Sequence, residues 1–281
     1  MRIRKNPIMK KILLPLEGTS YHRELLDFAA ALNERSKILL TTTLLPEADY
    51  AQLWTASGGV EEPLYIAPAV DVDKLVAGNS ARVKRYCEEH SIACQVHEDR
   101  FDFALGAIRR ETRFADLLLL SSSHFFETVD DRQPNAYMKE VLHHAECPVL
   151  LLPEKPTLPG EIILAYDGSA SSAYAIRQFA YLFPEFNRLR TTLVCINEDV
   201  NACIPEEALV REWCEQHFKH FRALRLHMRT DLFYDTWLGM MQQPWVVSGA
   251  FGRSDWSRLF HHSFINRLLR AHDVPLFVAH K

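Results

Sequence analysis

Glycine is scarce in this sequence. The chain holds ten glycines among 281 residues, which is about half of the usual frequency of roughly 7%. This scarcity excludes collagen-like proteins, glycine linkers and glycine-rich low-complexity proteins, and it limits the number of phosphate loops that depend on glycine. The position of each glycine is therefore informative.

The sequence also lacks an excess of positive charge, a long apolar run and a metal-binding cysteine pattern. Its net charge is −4, so no basic field indicates nucleic acid. The densest apolar runs, Leu117–Leu120 and Val149–Leu152, are too short to span a bilayer. The N-terminal apolar run stops at Glu17 and is too short for the signal peptide that a basic N-terminus could otherwise indicate. The six cysteines form no CxxC motif and are typical of reduced thiols. We expect a cytoplasmic protein that binds no nucleic acid, membrane or metal.

Three segments of the first half recur in the second half in the same order, which indicates a tandem duplication. The first segment recurs 150 residues later, and the other two recur 127 residues later. The length also suits two domains of roughly 150 residues each. The matching pairs are Ile12–Thr19 with Ile162–Ser169, Val83–His90 with Val210–His217, and Cys147–Leu152 with Val274–Ala279.

The difference between the two offsets indicates an insertion of about 23 residues in the first half. We expect these residues in a long loop at about 45–73, where prolines and glycines are frequent. The prolines of Pro153–Gly160 exclude a continuous helix or a central strand there. This segment is the predicted linker, and the predicted domains are residues 1–154 and 155–281.

Short apolar runs alternate with amphipathic stretches in each half. Ile162–Tyr166 is apolar without alternation, as in a parallel strand that is buried on both faces. Strands that alternate with helices imply right-handed βαβ units, so the prediction is an α/β fold of two tandem, doubly wound, five-stranded parallel-sheet domains. In the second half the predicted strands are 162–166, 191–196, 222–228, 245–248 and 276–279, and the predicted helices are 171–183, 205–221, 232–241 and 264–271.

Two segments of the second half suit a ligand that carries phosphate. Ala165–Ser169 ends the first strand of this half, and Ser248–Arg253 follows a later strand. Ligands of such sheets bind outside the carboxyl ends of the strands, where the strand order reverses. Glycines after a strand let the backbone approach a phosphate, and amides at the start of a helix, such as the one that Ser263 opens, favour an anion.

On these residues the sequence resembles a tandem universal stress protein, over nearly its whole length. The nucleotide-binding pattern of that family is Gly, two residues, Gly, nine residues, Gly, then Ser or Thr. Gly249 and Gly252 match the first two glycines, and Arg253–His261 supplies the nine residues. Ser263 matches the hydroxyl position, whereas His262 stands where the family has its third glycine.

The resemblance implies an adenine nucleotide alpha hydrolase-like fold and an ATP site, with or without Mg²⁺, in the second half. Asp167 would contact the nucleoside, Ala165 and Ile196 would line the adenosine pocket, and the glycines and Ser263 would hold the phosphates. Family subunits pair through their last strands, so the two halves are expected to form an internal pseudo-dimer. The implied nucleotide-binding residues are Ala165, Asp167, Ile196, Gly249, Gly252, Arg253, His262 and Ser263.

The substitution at His262 leaves three outcomes open. If the family glycine needs a positive φ, another residue there costs about 1–2 kcal/mol and weakens binding roughly tenfold. If glycine is needed only for close approach, the imidazole blocks the phosphate. Alternatively, His262 supplies positive charge to the phosphate together with Arg253.

The first half has lost the phosphate-loop residues. Glu17 stands at the position of Asp167, and we expect this half not to bind ATP in the family manner. The residues at the positions of the two glycines, His262 and Ser263 are Ser122, Phe125, Asn135 and Ala136.

Three classes of function remain open on the sequence. The leading one is a stress-response protein that binds an adenine nucleotide in its second half, without catalysis or with slow ATPase activity at most. The second is a scaffold or sensor of another small ligand, because the motif is degenerate. The third is an ATPase or phosphotransferase, which needs a positioned base and metal-holding carboxylates, whereas Asp167 is the obvious carboxylate at the inferred site. Further association of two chains as a homodimer also stays open.

Overall fold

The computed structural model describes residues 9–18, 20–45, 72–98, 104–122, 136–197, 199, 201, 203–227, 237–249 and 274–279. The chain forms two compact units. The first comprises Met1–Leu119 with His124–Glu146, and the second comprises Leu120–Ser123 with Cys147–Lys281. The domain boundary between residues 154 and 155 stays a prediction about the repeat.

In the first unit, parallel strands alternate with helices. The strand order is β3-β2-β1-β4, and β1 pairs in parallel with β2 and β4. Apart from the half-buried Leu39, the apolar side chains of β1, β2 and β4 are almost completely buried, as in a sheet covered on both faces. The elements are β1 (Lys10–Glu17), α1 (Arg23–Arg35), β2 (Ile38–Leu45), α2 (Val72–Glu89), β3 (Ala93–Glu98), α3 (Ala104–Thr112), β4 (Leu117–Ser121) and α4 (Ala136–His144).

The second unit has the strand order β5-β10-β9-β6-β7-β8. Strands β6 to β10 are parallel to their neighbours within this set. The chain runs outward from β6 through β7 to β8 and then returns to β9, so the strand order reverses between β6 and β9. The elements are β5 (Val149–Leu152), β6 (Glu161–Ala165), α5 (Ala170–Leu182), β7 (Arg190–Asn197), α6 (Glu207–His217), β8 (His220–His227), β9 (Pro244–Gly249) and β10 (Leu276–Ala279).

The predicted α/β fold with five strands in each half is confirmed. The last strands of the two halves pair as the resemblance implied, because β5 and β10 are antiparallel with Leu151 opposite Leu276. This pairing places β5 in the second compact unit, although it belongs to the first repeat in sequence.

One predicted helix of the second half is too long. The prediction of a helix over 205–221 is wrong at both ends, because α6 spans only Glu207–His217. Glu206 precedes it in the left-handed conformation, with a φ of 47°. Phe218 is extended and ends the helix, and Phe221 lies in β8 instead of on the helix. The apolar spacing continues past residue 217 because β8 itself is half-buried, so the pattern alone does not mark the boundary.

The predicted linker, Pro153–Gly160, lies within the second unit and is held there by backbone and side-chain hydrogen bonds. The amide of Gly160 donates to the carbonyl oxygen of Gln243 at 2.9 Å, and the indole N–H of Trp245 donates to the carbonyl oxygen of Thr157 at 2.9 Å. A Cβ atom at Gly160 would lie 2.5 Å from the carbonyl oxygen of Gln242. Glycine is therefore required here for close approach of two backbone segments.

Some sequence predictions lie outside the described residues. They include the predicted helix at 264–271 and the predicted loop at 45–73, except for the loop ends in β2 and α2. In the predicted helix 232–241, the described part holds a 3₁₀ turn, Leu238–Met240. No helix among the described residues is long and apolar enough to cross a membrane.

Candidate functional site

The carboxyl ends of β6, β7 and β9 lie side by side at the reversal of strand order. Strand β6 is the central one of the three, with Ala165 opposite Val194 of β7 and Leu164 opposite Val247 of β9. Ala165 and Gly249 are the last residues of their strands. The topology therefore brings the ends of three predicted site segments to one edge of the sheet, where open α/β sheets bind ligands.

Asp167 stands between β6 and α5 in a tight hydrogen-bonded turn. Its Oδ1 accepts a hydrogen bond from the amide of Ser169 at 2.9 Å. Ser169 is the N-cap of α5, and its Oγ accepts from the amide of Ser172 at 3.1 Å. These bonds satisfy backbone donors at the start of the helix and fix an exposed carboxylate at the edge of the sheet.

The surroundings of Asp167 keep it ionised. Burial opposes the charge, but hydrogen bonds from Ser169 and Ser172 outweigh burial and hold the pKa of Asp167 below its ordinary value. Burial raises the pKa of the Cys195 thiol in β7, and the negative charge of Asp167 raises it further. At neutral pH Asp167 is therefore a carboxylate, and the buried Cys195 thiol stays protonated.

The pKa of Asp167 should depend on its serine partners. In a Ser169→Ala variant we expect this pKa to rise, because the hydroxyl is the largest of the groups that favour the charged form. Since the native pKa is lowered, the ionised carboxylate stabilises the folded state above its unfolded pKa, and this contribution is lost as pH falls through the native value. Carboxyl NMR titration measures the shift. Ser171→Ala is the matched control, and an equal rise in both variants would contradict the assignment.

Gly249 touches the first turn of α5. A Cβ atom there would lie 2.4 Å from both the carbonyl carbon of Ser171 and the amide nitrogen of Ser172. The backbone of Gly249 does not have a positive φ, so its glycine serves close packing of strand against helix. This contact holds the end of β9 against the helix whose N-cap follows Asp167.

Gly168 needs glycine for two reasons. Its φ is +83°, a conformation that side chains disfavour. A Cβ atom there would also lie 2.5 Å from Cβ of Pro205, which precedes α6. The turn after β6 thus packs at Gly168 against the segment that leads into α6, while Asp167 stays exposed.

The described residues place Ala165, Asp167, Ile196 and Gly249 at the ends of adjacent strands or directly after them. The other four implied residues, Gly252, Arg253, His262 and Ser263, lie outside the described residues, so the phosphate half of the predicted site stays a prediction. In the part of the chain that the structure describes, no three His, Cys, Asp or Glu side chains group as a metal site.

Sequence reasoning missed two contributors to this edge. Ser172 helps to hold the carboxylate of Asp167, and Pro205 packs on Gly168. Ser169, two residues after Asp167 and directly before an amphipathic helix, carries a standard N-cap signal, whereas Ser172 inside the first helical turn carries none. The contact with Pro205 is tertiary and has no local signal.

The corresponding edge of the first half is closed by its own residues. Gly18, the counterpart of Gly168, packs so closely that a Cβ atom would lie 2.8 Å from Cγ2 of Val76 in α2. The buried side chain of Asn79 donates to the carbonyl oxygen of Gly18 at 2.9 Å. Glu17, the counterpart of Asp167, is only 6% exposed. Helix α2 thus covers the turn at Gly18. The equivalent turn of the second half leaves Asp167 exposed to solvent.

In the first half, a serine, Ser122, stands at the repeat position of Gly249. Ser122 is buried, and among the described residues its hydroxyl has no hydrogen-bond partner. Its amide donates to the carbonyl oxygen of Leu152 at 2.8 Å. A buried serine therefore stands in the first half where the second half has a closely packed glycine.

Comparison with known proteins supports the fold. No family model and no curated protein sequence matches the chain. A universal stress protein from Archaeoglobus fulgidus matches 97% of this chain and 96% of its own, with a TM-score of 0.63 and 12% identity. A functionally unknown protein from Pseudomonas aeruginosa PAO1 matches 97% of this chain and 92% of its own, with a TM-score of 0.57 and 14% identity.

These matches confirm the resemblance at the level of the fold. The chain has the α/β fold of a tandem universal stress protein, and the similarity extends over both halves. At this low identity the comparison establishes architecture, and the ligand has to be argued from the site itself.

Proposed function

We propose that this chain is a cytoplasmic stress-response protein that binds ATP, alone or with Mg²⁺, in its second half and that its binding, not turnover, is the function. The observation that carries the proposal is the convergence of Ala165, Asp167 and Gly249 at adjacent strand ends, where the strand order reverses. In the first half, Val76 and Asn79 cover the equivalent turn at Gly18. This half has a structural role and binds no nucleotide.

The described residues fit the nucleoside part of such a ligand. A carboxylate has about four lone-pair positions, so Asp167 can accept from Ser169 and still accept from the hydroxyls of a ribose. Ala165 and Ile196 are half-buried and offer apolar contact beside it. Gly252, Arg253, His262 and Ser263 would hold the phosphates.

ATP should stabilise the purified chain against heat. At about 100 times its dissociation constant, a ligand of the folded state adds about 2.7 kcal/mol, which a thermal-shift measurement detects. Asp167→Asn removes a charged acceptor, which typically contributes about 1.5–3 kcal/mol. We therefore expect this variant to bind ATP at least about tenfold more weakly and to lose about half or more of the stabilisation at the same ATP concentration.

Asp116→Asn is the matched control. Asp116 also accepts a hydrogen bond from a backbone amide, that of Lys11, at 2.8 Å, but it lies in the first unit. The variant should keep the full ATP shift. The absence of any shift with millimolar ATP in the unmodified chain, together with the absence of co-purified nucleotide, would refute the proposal.

The replacement of the third motif glycine by His262 favours one other function, a sensor or scaffold for a ligand that is not a nucleotide. Mass spectrometry of the ligand carried through purification separates the two functions. An adenine nucleotide supports the first, and another metabolite supports the second. ATP hydrolysis above background that disappears in Asp167→Asn would instead indicate an enzyme.

A further inference from the structure

Strand β8 stands at the edge of the sheet in the second unit. It pairs in parallel with β7 along its whole length, from His220 opposite Arg190 to His227 opposite Asn197. Among the described residues, no strand pairs with its outer side. This edge therefore presents a row of backbone N–H and C=O groups that can pair with an added strand.

The exposed side chains of β8 are all basic. The strand has two arginines, two histidines and no acidic residue, and the run without an acidic residue extends from Gln216 to Thr230 in a chain whose net charge is −4. The other four side chains of β8 are apolar and half-buried. Because neighbouring side chains of a strand point to opposite faces, positive charge lines both faces of this edge. The four exposed residues are His220, Arg222, Arg225 and His227.

The fold itself does not require this positive charge. Strand β3 has the same place in the first repeat and is also an edge strand, yet it contains neither arginine nor lysine. At the repeat offset of 127, Gln95 and Glu98 of β3 stand at the positions of Arg222 and Arg225. The basic edge is therefore specific to the second half, and its reason lies outside the packing of the sheet.

The charges of β8 disfavour a second copy of the same strand as its partner. In an antiparallel pair with all eight residues matched, Arg222 would lie opposite Arg225, and His220 opposite His227. A parallel pair in register would place each arginine beside its own counterpart. Like charges directly opposite each other destabilise a strand pair, whereas opposite charges stabilise it. The complementary partner is therefore a strand that carries acidic side chains.

We propose that β8 is a docking edge for an extended acidic segment of another protein, which adds to the sheet as a further strand. Backbone hydrogen bonds to the outer side of β8 hold this segment, and acidic side chains opposite Arg222 and Arg225 select it. Basic residues occupy positions one, three, six and eight of β8, so the preferred segment has acidic residues at these four positions. The pattern is the same in both directions and suits a parallel or an antiparallel partner.

The test uses the full-length chain and a fluorescently labelled peptide with blocked ends, Glu-Thr-Glu-Val-Val-Glu-Thr-Glu. This peptide has the acidic pattern with β-branched residues between, which favour a strand. We expect fluorescence anisotropy to show binding. Two control peptides should bind at least about tenfold more weakly. One has lysine in place of each glutamate, and the other has proline at the two central positions, which keeps the charge but prevents strand pairing.

Hydrogen exchange locates the bound peptide. With the glutamate peptide present, the backbone amides of β8 should exchange more slowly, because an added strand accepts hydrogen bonds from those on its outer side. The amides of β3, the edge strand of the first unit, should exchange at an unchanged rate.

A double variant, Arg222→Gln with Arg225→Gln, should bind the glutamate peptide about fivefold more weakly, because two cross-strand charge pairs are lost. The matched control is Arg177→Gln with Arg188→Gln. It removes the same charge from exposed positions of the second unit outside β8 and should bind as the unmodified chain does. If the first variant does not fold, Arg225→Gln alone keeps the hydrogen bond of 2.9 Å from Arg222 to Thr192.

Four results would overturn the proposal. The first is no binding of the glutamate peptide, and the second is equal binding of the proline peptide. The third is an equal loss of affinity in the two double variants. The fourth is slow exchange of the β8 amides at high protein concentration without peptide, because a second copy of the chain would then cover this edge.

Discussion

Replacing Trp245 with alanine is expected to lower the free energy of unfolding by about 3–5 kcal/mol, the usual cost of removing a large aromatic side chain from a core. Trp245 is completely buried in β9. Its ring packs edge-on against Phe183 and Phe186, with centroids 5.6 and 5.5 Å away. Its indole also holds the linker through Thr157. One substitution thus opens a cavity and releases the linker.

Urea unfolding followed by circular dichroism measures this loss, with Trp213→Ala as the control. Trp213 is half-exposed on α6 and stacks on His217 with a centroid distance of 3.8 Å. Its removal should cost only about 0.5–1.5 kcal/mol, the typical contribution of an aromatic pair. Equal losses in the two variants would show that Trp245 is not central to this core.

A Gly249→Ala variant is expected to lose about 1–3 kcal/mol or more of stability, the usual cost of overpacking. The reason is steric, because the added Cβ would lie 2.4 Å from backbone atoms of Ser171 and Ser172, and backbone cannot rotate aside as a side chain can. The end of β9 would have to move away from α5, and with it the site edge beside Asp167. We expect the ATP-induced thermal shift to fall in parallel.

Gly239→Ala is the matched control for this variant. Gly239 lies in the same unit, and nothing approaches within 4 Å of the position that its Cβ would take. The substitution should change stability by no more than about 0.5 kcal/mol and should leave the ATP shift intact. Thermal and urea unfolding of the two variants side by side settle whether close packing sets the need for glycine at position 249.

The fold could be predicted from the sequence because the same strand and helix patterns occur in both halves of the chain, so each half supports the interpretation of the other. Strands β6 and β10 lie within one residue of their predicted bounds, since each is a short apolar run bounded by glycine, proline or charge. Helix α6 was predicted too long because residues 218–221 continue the apolar spacing into a half-buried strand. Apolar spacing in a sequence reflects burial, and here buried positions continue from α6 across the turn into β8.

The candidate site was predictable in its residues and less so in its contacts. Asp167 and Gly249 carry local signals, namely their positions after apolar strands. The tertiary contacts at this edge have none. Pro205 meets Gly168, and Gly249 meets Ser171, only because β7, α6 and β9 return to the same edge. In the first half, Asn79 of α2 donates to the carbonyl oxygen of Gly18, a tertiary contact that also has no local signal.

The antiparallel pairing of β5 with β10 has a consequence for any attempt to work with one half of the chain. Val149–Leu152 is a completely apolar strand with every residue buried, and β10 is its hydrogen-bonded neighbour in the second repeat. In a fragment that ends at residue 154, this strand would therefore be an exposed apolar edge strand, which is prone to pair with other chains. The exposed strand can pair with the same strand of a second copy. We therefore expect the separated first repeat to self-associate through β5, which replaces the pairing that β10 provides in the full chain.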